Sequence, residues 1–69
     1  MAGLAFSALR VGHRYRLVNY AEVHEFVIEK ALPGEDFWVK DVHTLERYRL
    51  KETLRFGRGK DFEIREWAG

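Results

Sequence analysis

Two glycines alternate with two cations at Gly57-Arg58-Gly59-Lys60, a combination that can aim backbone N–H groups and positive side chains at an anion. A phosphate-binding P-loop needs the spacing G-x-x-x-x-G-K-[ST], whereas Asp61 follows the lysine here and no glycine lies five positions before Gly59. Glycine ends turns far more often than it binds phosphate. We therefore predict that Gly57 ends a helical turn and that Gly59 frees the chain before the last strand.

The stretch 47–60 has the least balanced charge in the sequence, because it contains six basic residues and only one acidic residue, Glu52. Lysine and arginine clusters bind the phosphates of nucleic acids, and an exposed tryptophan can stack on a base. The candidate partner-binding or nucleic-acid-binding residues are Arg47, Arg49, Arg55, Arg58 and Lys60, with Trp38 as a stacking face. An acidic protein surface is an equally good partner for this block, including the acidic segment 22–36 of a second copy.

A second basic segment contains Arg14 and Arg16 and is expected to be structural. In the strand arrangement predicted below, these side chains lie beside Glu25, Glu29 and Glu63 on neighbouring strands. Each cross-strand pair of opposite charges contributes only about 0.2–1 kcal/mol, but together such pairs neutralise the field that a phosphate would feel.

The sequence contains no pattern of residues that is typical of an enzyme active site. His13, His24 and His43 fall in three different segments, and the single serine, Ser7, lies near the N-terminus. This pattern lacks the spacing of a zinc site or of a Ser-His-Asp triad. The chain has no cysteine, which excludes disulfides, zinc–thiolate sites and thiol catalysis. We predict no catalytic residues, no metal and no cofactor.

Apolar and polar residues alternate along most of the chain, as in strands with one buried face. The alternation predicts strands at 13–20, 23–31, 37–42, 47–50 and 61–67. In the first of them Tyr15 and Leu17 face inward, and the arginines on either side of Tyr15 face outward. Pro33 and Gly34 form a turn between the second and third strands.

Residues 44–56 allow two interpretations, a helix or a strand followed by a helical turn. The apolar residues of this stretch scatter around a helical wheel instead of forming one stripe, which argues against the helix. We favour a strand at 47–50 and a helical turn at 51–57, with Gly57 as the C-terminal cap.

Five short strands with one helical turn before the last predict an all-β protein, a small five-stranded antiparallel barrel. The segments VGHRYRL (11–17), FWVKDVHTLERYRL (37–50) and KETLRFG (51–57) carry a resemblance to the Src-homology-3-like (SH3-like) barrels, especially Tudor- and KOW-type domains. The chain is also similar to short stand-alone bacterial proteins of unassigned function. The resemblance implies the barrel fold and little else.

The 69 residues suffice for one domain, 1–69, of which we expect 1–10 to be a loosely ordered arm. A hydrophobic fraction of 46% is that of a folded protein, and no segment reads as a signal peptide or a membrane span. We expect a cytoplasmic protein with no membrane partner. The predicted function is a binding module for a protein or nucleic-acid partner through the basic surface at 47–60. The alternative is a self-associating, homo-oligomeric structural protein with no ligand.

Overall fold

The computed structural model describes residues 5–67. The strands are β1 (Arg14–Asn19), β2 (Glu22–Leu32), β3 (Asp36–Asp41), β4 (Arg47–Arg49) and β5 (Glu63–Glu66). Short 3-10 turns lie at Phe6–Ala8 and at Leu50–Leu54. The predicted all-β class, the five strands and the helical turn before the last strand are confirmed. The helical interpretation of 44–56 is wrong, since this stretch contains a loop, β4 and a single 3-10 turn.

The five strands form one antiparallel sheet in the order β4-β3-β2-β1-β5. In this order β4 and β5 are the two edges, and they do not pair with each other within residues 5–67. The sheet is therefore open, and its closure into a barrel is not confirmed. The edge strands contain only three and four residues, which limits how far either one can reach around the core.

The core lies on one face of the sheet and contains the residues that strand alternation places inward. Its buried apolar members are Phe6, Leu9, Tyr15, Leu17, Phe26, Ile28, Phe37, Val39, Leu50 and Ile64. Burial of each large side chain stabilises the fold by about 1.5–3 kcal/mol. Phe6 and Leu9 come from the predicted N-terminal arm, so this part of the arm packs against the domain. Residues 1–4 of the arm lie outside the described residues.

A two-residue turn at Tyr20 and Ala21 joins β1 to β2, and both residues have positive φ angles of 51° and 64°. Glycine, asparagine or aspartate usually occupies such positions, because a Cβ atom disfavours this conformation. Here the side chain of Asp61 holds the turn. Its carboxylate oxygens accept hydrogen bonds from the Tyr20 N–H at 2.9 Å and the Ala21 N–H at 2.7 Å.

Asn19, buried at the end of β1, organises the glycine-rich loop. Its Nδ2 donates to the carbonyl oxygens of Thr53 and Gly57, at 3.2 and 3.0 Å, and its Oδ1 accepts the N–H of Gly59 at 2.7 Å. The 3-10 turn ends at Leu54 with Arg55 as its C-terminal cap, so the predicted cap at Gly57 is wrong. Gly57 has a φ of +86° and closes the next turn, where its N–H donates to the Leu54 carbonyl at 2.8 Å. A Cβ at Gly59 would lie 3.0 Å from the ring of Tyr20, so this glycine is required for packing. The loop is thus built around Asn19, and its Gly59 N–H is already used within the protein.

Candidate functional site

Four strands place basic side chains and a tryptophan on the outer face of the sheet, opposite the core. We define the basic face as Arg14, Lys30, Trp38, Lys40, Arg47 and Arg49. Lys30, Trp38 and Arg49 lie side by side on β2, β3 and β4, and Lys40 lies opposite Arg47. Adjacent strands are about 4.8 Å apart, so a row across three strands spans roughly 10 Å.

A β-bulge in β2 brings Lys30 to the basic face. The register with β3 shifts between Ile28 and Lys30, which leaves Glu29 as an extra residue. In an unbroken ladder Lys30 would be opposite Phe37, which is buried. The bulge places Lys30 opposite Trp38 instead, on the side that faces solvent. One inserted residue thus exchanges a buried lysine for an exposed one.

The basic face has more positive than negative charge. The Nε of Arg47 donates to a carboxylate oxygen of Glu29 at 2.7 Å, and this pair is partly exposed. Within residues 5–67, the other four cations of the face make no ion pair with a carboxylate: Arg14, Lys30, Lys40 and Arg49. The face therefore has four basic groups available to an anion.

The other end of the outer face is closer to neutral. The Nε of Arg16 lies 3.6 Å from a carboxylate oxygen of Glu25, and Arg65 contacts Glu63 at 2.9 Å. This agrees with the expected cross-strand pairing of Arg16. Arg14 lies opposite an apolar residue of β2 and contributes to the basic face instead. The positive charge is thus concentrated on the neighbouring strands β2, β3 and β4.

The structure brings three of the six predicted binding residues together on the basic face: Trp38, Arg47 and Arg49. The remaining three lie in the loop after the second 3-10 turn. The guanidinium of Arg55 lies 5.1 Å from the ring centre of Phe56, and that of Arg58 lies 4.6 Å from the ring centre of Phe62. Lys60 is exposed in the turn before β5. Whether any of the six binds a partner stays a prediction.

Three members of the basic face were not among the predicted binding residues: Arg14, Lys30 and Lys40. For Arg14 and Lys40, the alternation of each strand together with this strand order was sufficient to predict a position on the outer face. Lys30 depends on the bulge, for which the only sequence signal is the consecutive charged pair Glu29-Lys30 in the middle of a strand.

A groove of about 570 Å³ opens on the inner side of the sheet, beside the β1–β2 turn. Its walls are Asn19, Tyr20, Glu22, His24, Asp41, Thr44, Glu46, Tyr48, Glu52, Thr53, Arg55 and Phe56. Four carboxylates and one arginine make this groove acidic, in contrast to the basic face. The aromatic rings of Tyr20, Tyr48 and Phe56 supply its apolar area.

Two groove residues have perturbed acidities. Burial, followed by the negative charge of Asp41, raises the pKa of Tyr48 to about 12. The Tyr48 hydroxyl is buried and has no hydrogen-bond partner within the described residues. Burial tends to raise the pKa of Asp41, but hydrogen bonds from the backbone N–H groups of Thr44 and His43 outweigh it, so the pKa is lowered from 3.8.

The three histidines stay apart in the fold, and each contacts a different glutamate. His13 Nδ1 lies 3.0 Å from Glu66, His24 Nε2 lies 3.7 Å from Glu22, and His43 contacts Glu25. Within residues 5–67, no three side chains of histidine, cysteine, aspartate or glutamate converge as a metal site would require. That described range also contains no helix long and apolar enough to cross a membrane.

Comparison with other proteins returned no relative. The chain matches no protein-family model, no curated protein and no solved structure.

Proposed function

We propose that this chain is a small binding module that holds a polyanionic partner on its basic face. The observation that carries the proposal is the excess of positive charge on the basic face, which has five cations, four of them on β2, β3 and β4 near Trp38, and one acid paired with them, Glu29, within the described part of the chain. Positive side chains fixed on the strands of a sheet attract anions without first having to order a loop. The proposal keeps Arg47, Arg49 and Trp38 from the predicted site and adds Arg14, Lys30 and Lys40.

We also propose that the domain belongs with the SH3-like barrels. Supporting this are the strand order, in which β1 lies between β2 and β5, and the 3-10 turn that separates β4 from β5. The open sheet of residues 5–67 leaves closure of the barrel as part of the proposal.

The test measures binding of heparin, a polyanion without nucleotide bases, and it compares two matched double variants. Lys30→Ala/Arg49→Ala removes two charges from the basic face, whereas Arg55→Ala/Lys60→Ala removes two cations from the loop. Both variants have the same net charge, so a general loss of positive charge affects them equally. Attraction to an anionic surface amounts to about 1 kcal/mol per lysine or arginine, so the first variant should bind heparin roughly 30-fold more weakly.

The second variant should bind heparin like the unmodified chain. Titration calorimetry at low salt measures both affinities. Equal losses in the two variants would refute the basic face as the site, and the absence of any heparin binding would refute the proposed function.

Self-association is a second candidate function, and the acidic groove favours it. The basic face and the groove lie on opposite sides of the same sheet, so the basic face of one copy complements the groove of the next. Such head-to-tail contacts are heterologous and extend into chains unless they close into a ring. Light scattering should then show a mass that rises with protein concentration. Addition of salt should return this mass towards that of the monomer. A monomer mass at every concentration excludes this candidate.

A further inference from the structure

Trp38 occupies the centre of the basic face, between Lys30 on β2 and Arg49 on β4. This residue is 36% exposed, although a tryptophan is usually largely covered in a folded protein. The neighbours of Trp38 along β3, Phe37 and Val39, are buried at 9% and 0% exposure. The indole therefore stands on a strand that is held firmly by the core.

Among the described residues, no cation lies over the ring of Trp38. Within residues 5–67, the cation–π contacts pair Arg55 with Phe56 and Arg58 with two other phenylalanines. Lys30 and Arg49 thus flank Trp38 without either charged group lying over its ring. An exposed apolar surface inside a charged patch indicates a partner that has both a planar apolar group and negative charge.

A single-stranded nucleic acid has this combination. Its phosphates are spaced along a flexible chain, and its unpaired bases offer flat surfaces that stack on aromatic side chains. An acidic peptide supplies the charge but has no regular supply of planar groups. In a duplex the bases stack on each other, so a tryptophan on a sheet surface meets only the backbone.

We infer that the basic face binds single-stranded nucleic acid, with one base stacked on Trp38 and the backbone phosphates held by the cations around it. This inference rests on the proposed function and narrows its partner to one class of polyanion. The four cations of the face that make no ion pair with a carboxylate of residues 5–67 (Arg14, Lys30, Lys40 and Arg49) are the phosphate-binding groups. Arg47 is paired with Glu29 and is therefore not counted among them.

The dependence of the affinity on salt concentration measures the number of phosphate contacts. Each contact to a single strand contributes about −0.7 to the slope of log affinity against log salt concentration. Four contacts give a slope of about −2.8, or roughly a 50-fold loss of affinity between 50 and 200 mM salt. Arg49→Ala should reduce the steepness of this slope by about 0.7, and Lys60→Ala should leave it unchanged.

The stacking is tested with two variants that do not change the charge of the protein. The probe is a fluorescently labelled oligothymidylate of about 12 nucleotides, and its affinity for the protein is measured by fluorescence anisotropy at about 50 mM salt. Trp38→Ala should weaken its binding about 5- to 150-fold, the range expected for loss of one stacked base. Trp38→Phe retains a ring and should lose much less. Heparin has no bases, so its affinity should be the same for both variants as for the unmodified chain.

The heparin measurement also reports whether Trp38→Ala is folded, because an unfolded chain would lose the basic face. If Trp38→Ala binds oligothymidylate as well as the unmodified chain does, the inference is overturned while the proposed polyanion binding stands. If the unmodified chain binds neither heparin nor oligothymidylate, both are overturned. Duplex DNA bound more tightly than oligothymidylate would also overturn the inference.

Discussion

The carboxylate of Asp61 closes the turn between β1 and β2 from 40 and 41 positions further along the chain. It does so at the place where two residues with side chains, Tyr20 and Ala21, adopt positive φ angles. Asp61→Ala leaves both N–H groups of the turn without this acceptor, and it leaves the strained backbone in place. We expect this substitution to be among the more destabilising changes at an exposed position of the domain.

The size of the effect follows from the two hydrogen bonds. A hydrogen bond to a charged group stabilises a fold by about 1.5–3 kcal/mol, and we take about 1 kcal/mol for each because water partly replaces the acceptor at an exposed turn. The total is roughly 2 kcal/mol. For a 69-residue chain with an expected free energy of unfolding of roughly 3–10 kcal/mol, this is a large share. The corresponding fall in Tm is roughly 8–16 °C.

Urea unfolding followed by circular dichroism measures the free energy of unfolding directly. The adjacent substitution Lys60→Ala is the control, because it also shortens an exposed charged side chain in the same turn. Ala21→Gly removes the Cβ that disfavours the left-handed conformation, so adding it to Asp61→Ala should recover part of the loss. If Asp61→Ala and Lys60→Ala differ by less than about 0.5 kcal/mol, the proposed role of the carboxylate is refuted.

Three other outcomes concern the groove and the glycine-rich loop. Tyr48→Phe deletes a buried hydroxyl that has no partner within the described residues, so the free energy of unfolding in urea should rise by about 1 kcal/mol; a decrease would show that the hydroxyl is satisfied. Because the pKa of Tyr48 is raised from 10.0 to about 12, the free energy of unfolding should be unaffected by this group below pH 10 and should fall as the pH rises from 10 through 12; the same alkaline loss in Tyr48→Phe would contradict this. Gly57→Ala places a Cβ at a φ of +86° and should lower the free energy of unfolding by about 1–2 kcal/mol in urea, and an unchanged value would mean that the loop relaxes.

Short-range patterns were sufficient to predict most of the architecture. Alternation identified all five strands, each with a small error at its ends, and it assigned Tyr15 and Leu17 to the core. This succeeded because each strand has one buried face, and a period of two residues records which one. Gly57 was expected to end the helical turn, but the turn ends at Leu54, and the positive φ angle of Gly57 belongs to the loop that follows.

The candidate site was harder to predict, because it depends on contacts between distant segments. Charge counted along the sequence joined Arg47 and Arg49 to Arg58 and Lys60, but the chain turns after β4 and separates them. The bulge that brings Lys30 beside Trp38 can hardly be recognised from the residues around it in the sequence. The turn at Tyr20 lacks the residues that usually mark such a hairpin, and its stabilising group, Asp61, is far away in the sequence.

An open sheet has two unpaired edges, and each is a potential site for aggregation with another chain. Both edges of this sheet are short, with three residues in β4 and four in β5. They are also rich in charge, since every residue of the two strands except Tyr48 and Ile64 is an arginine or a glutamate. A second chain that added a strand at either edge would have to bring its backbone against these charged side chains. Under the proposed function the arginines of β4 have two roles, attraction of a polyanion on the outer face and protection of the edge against amyloid-like assembly.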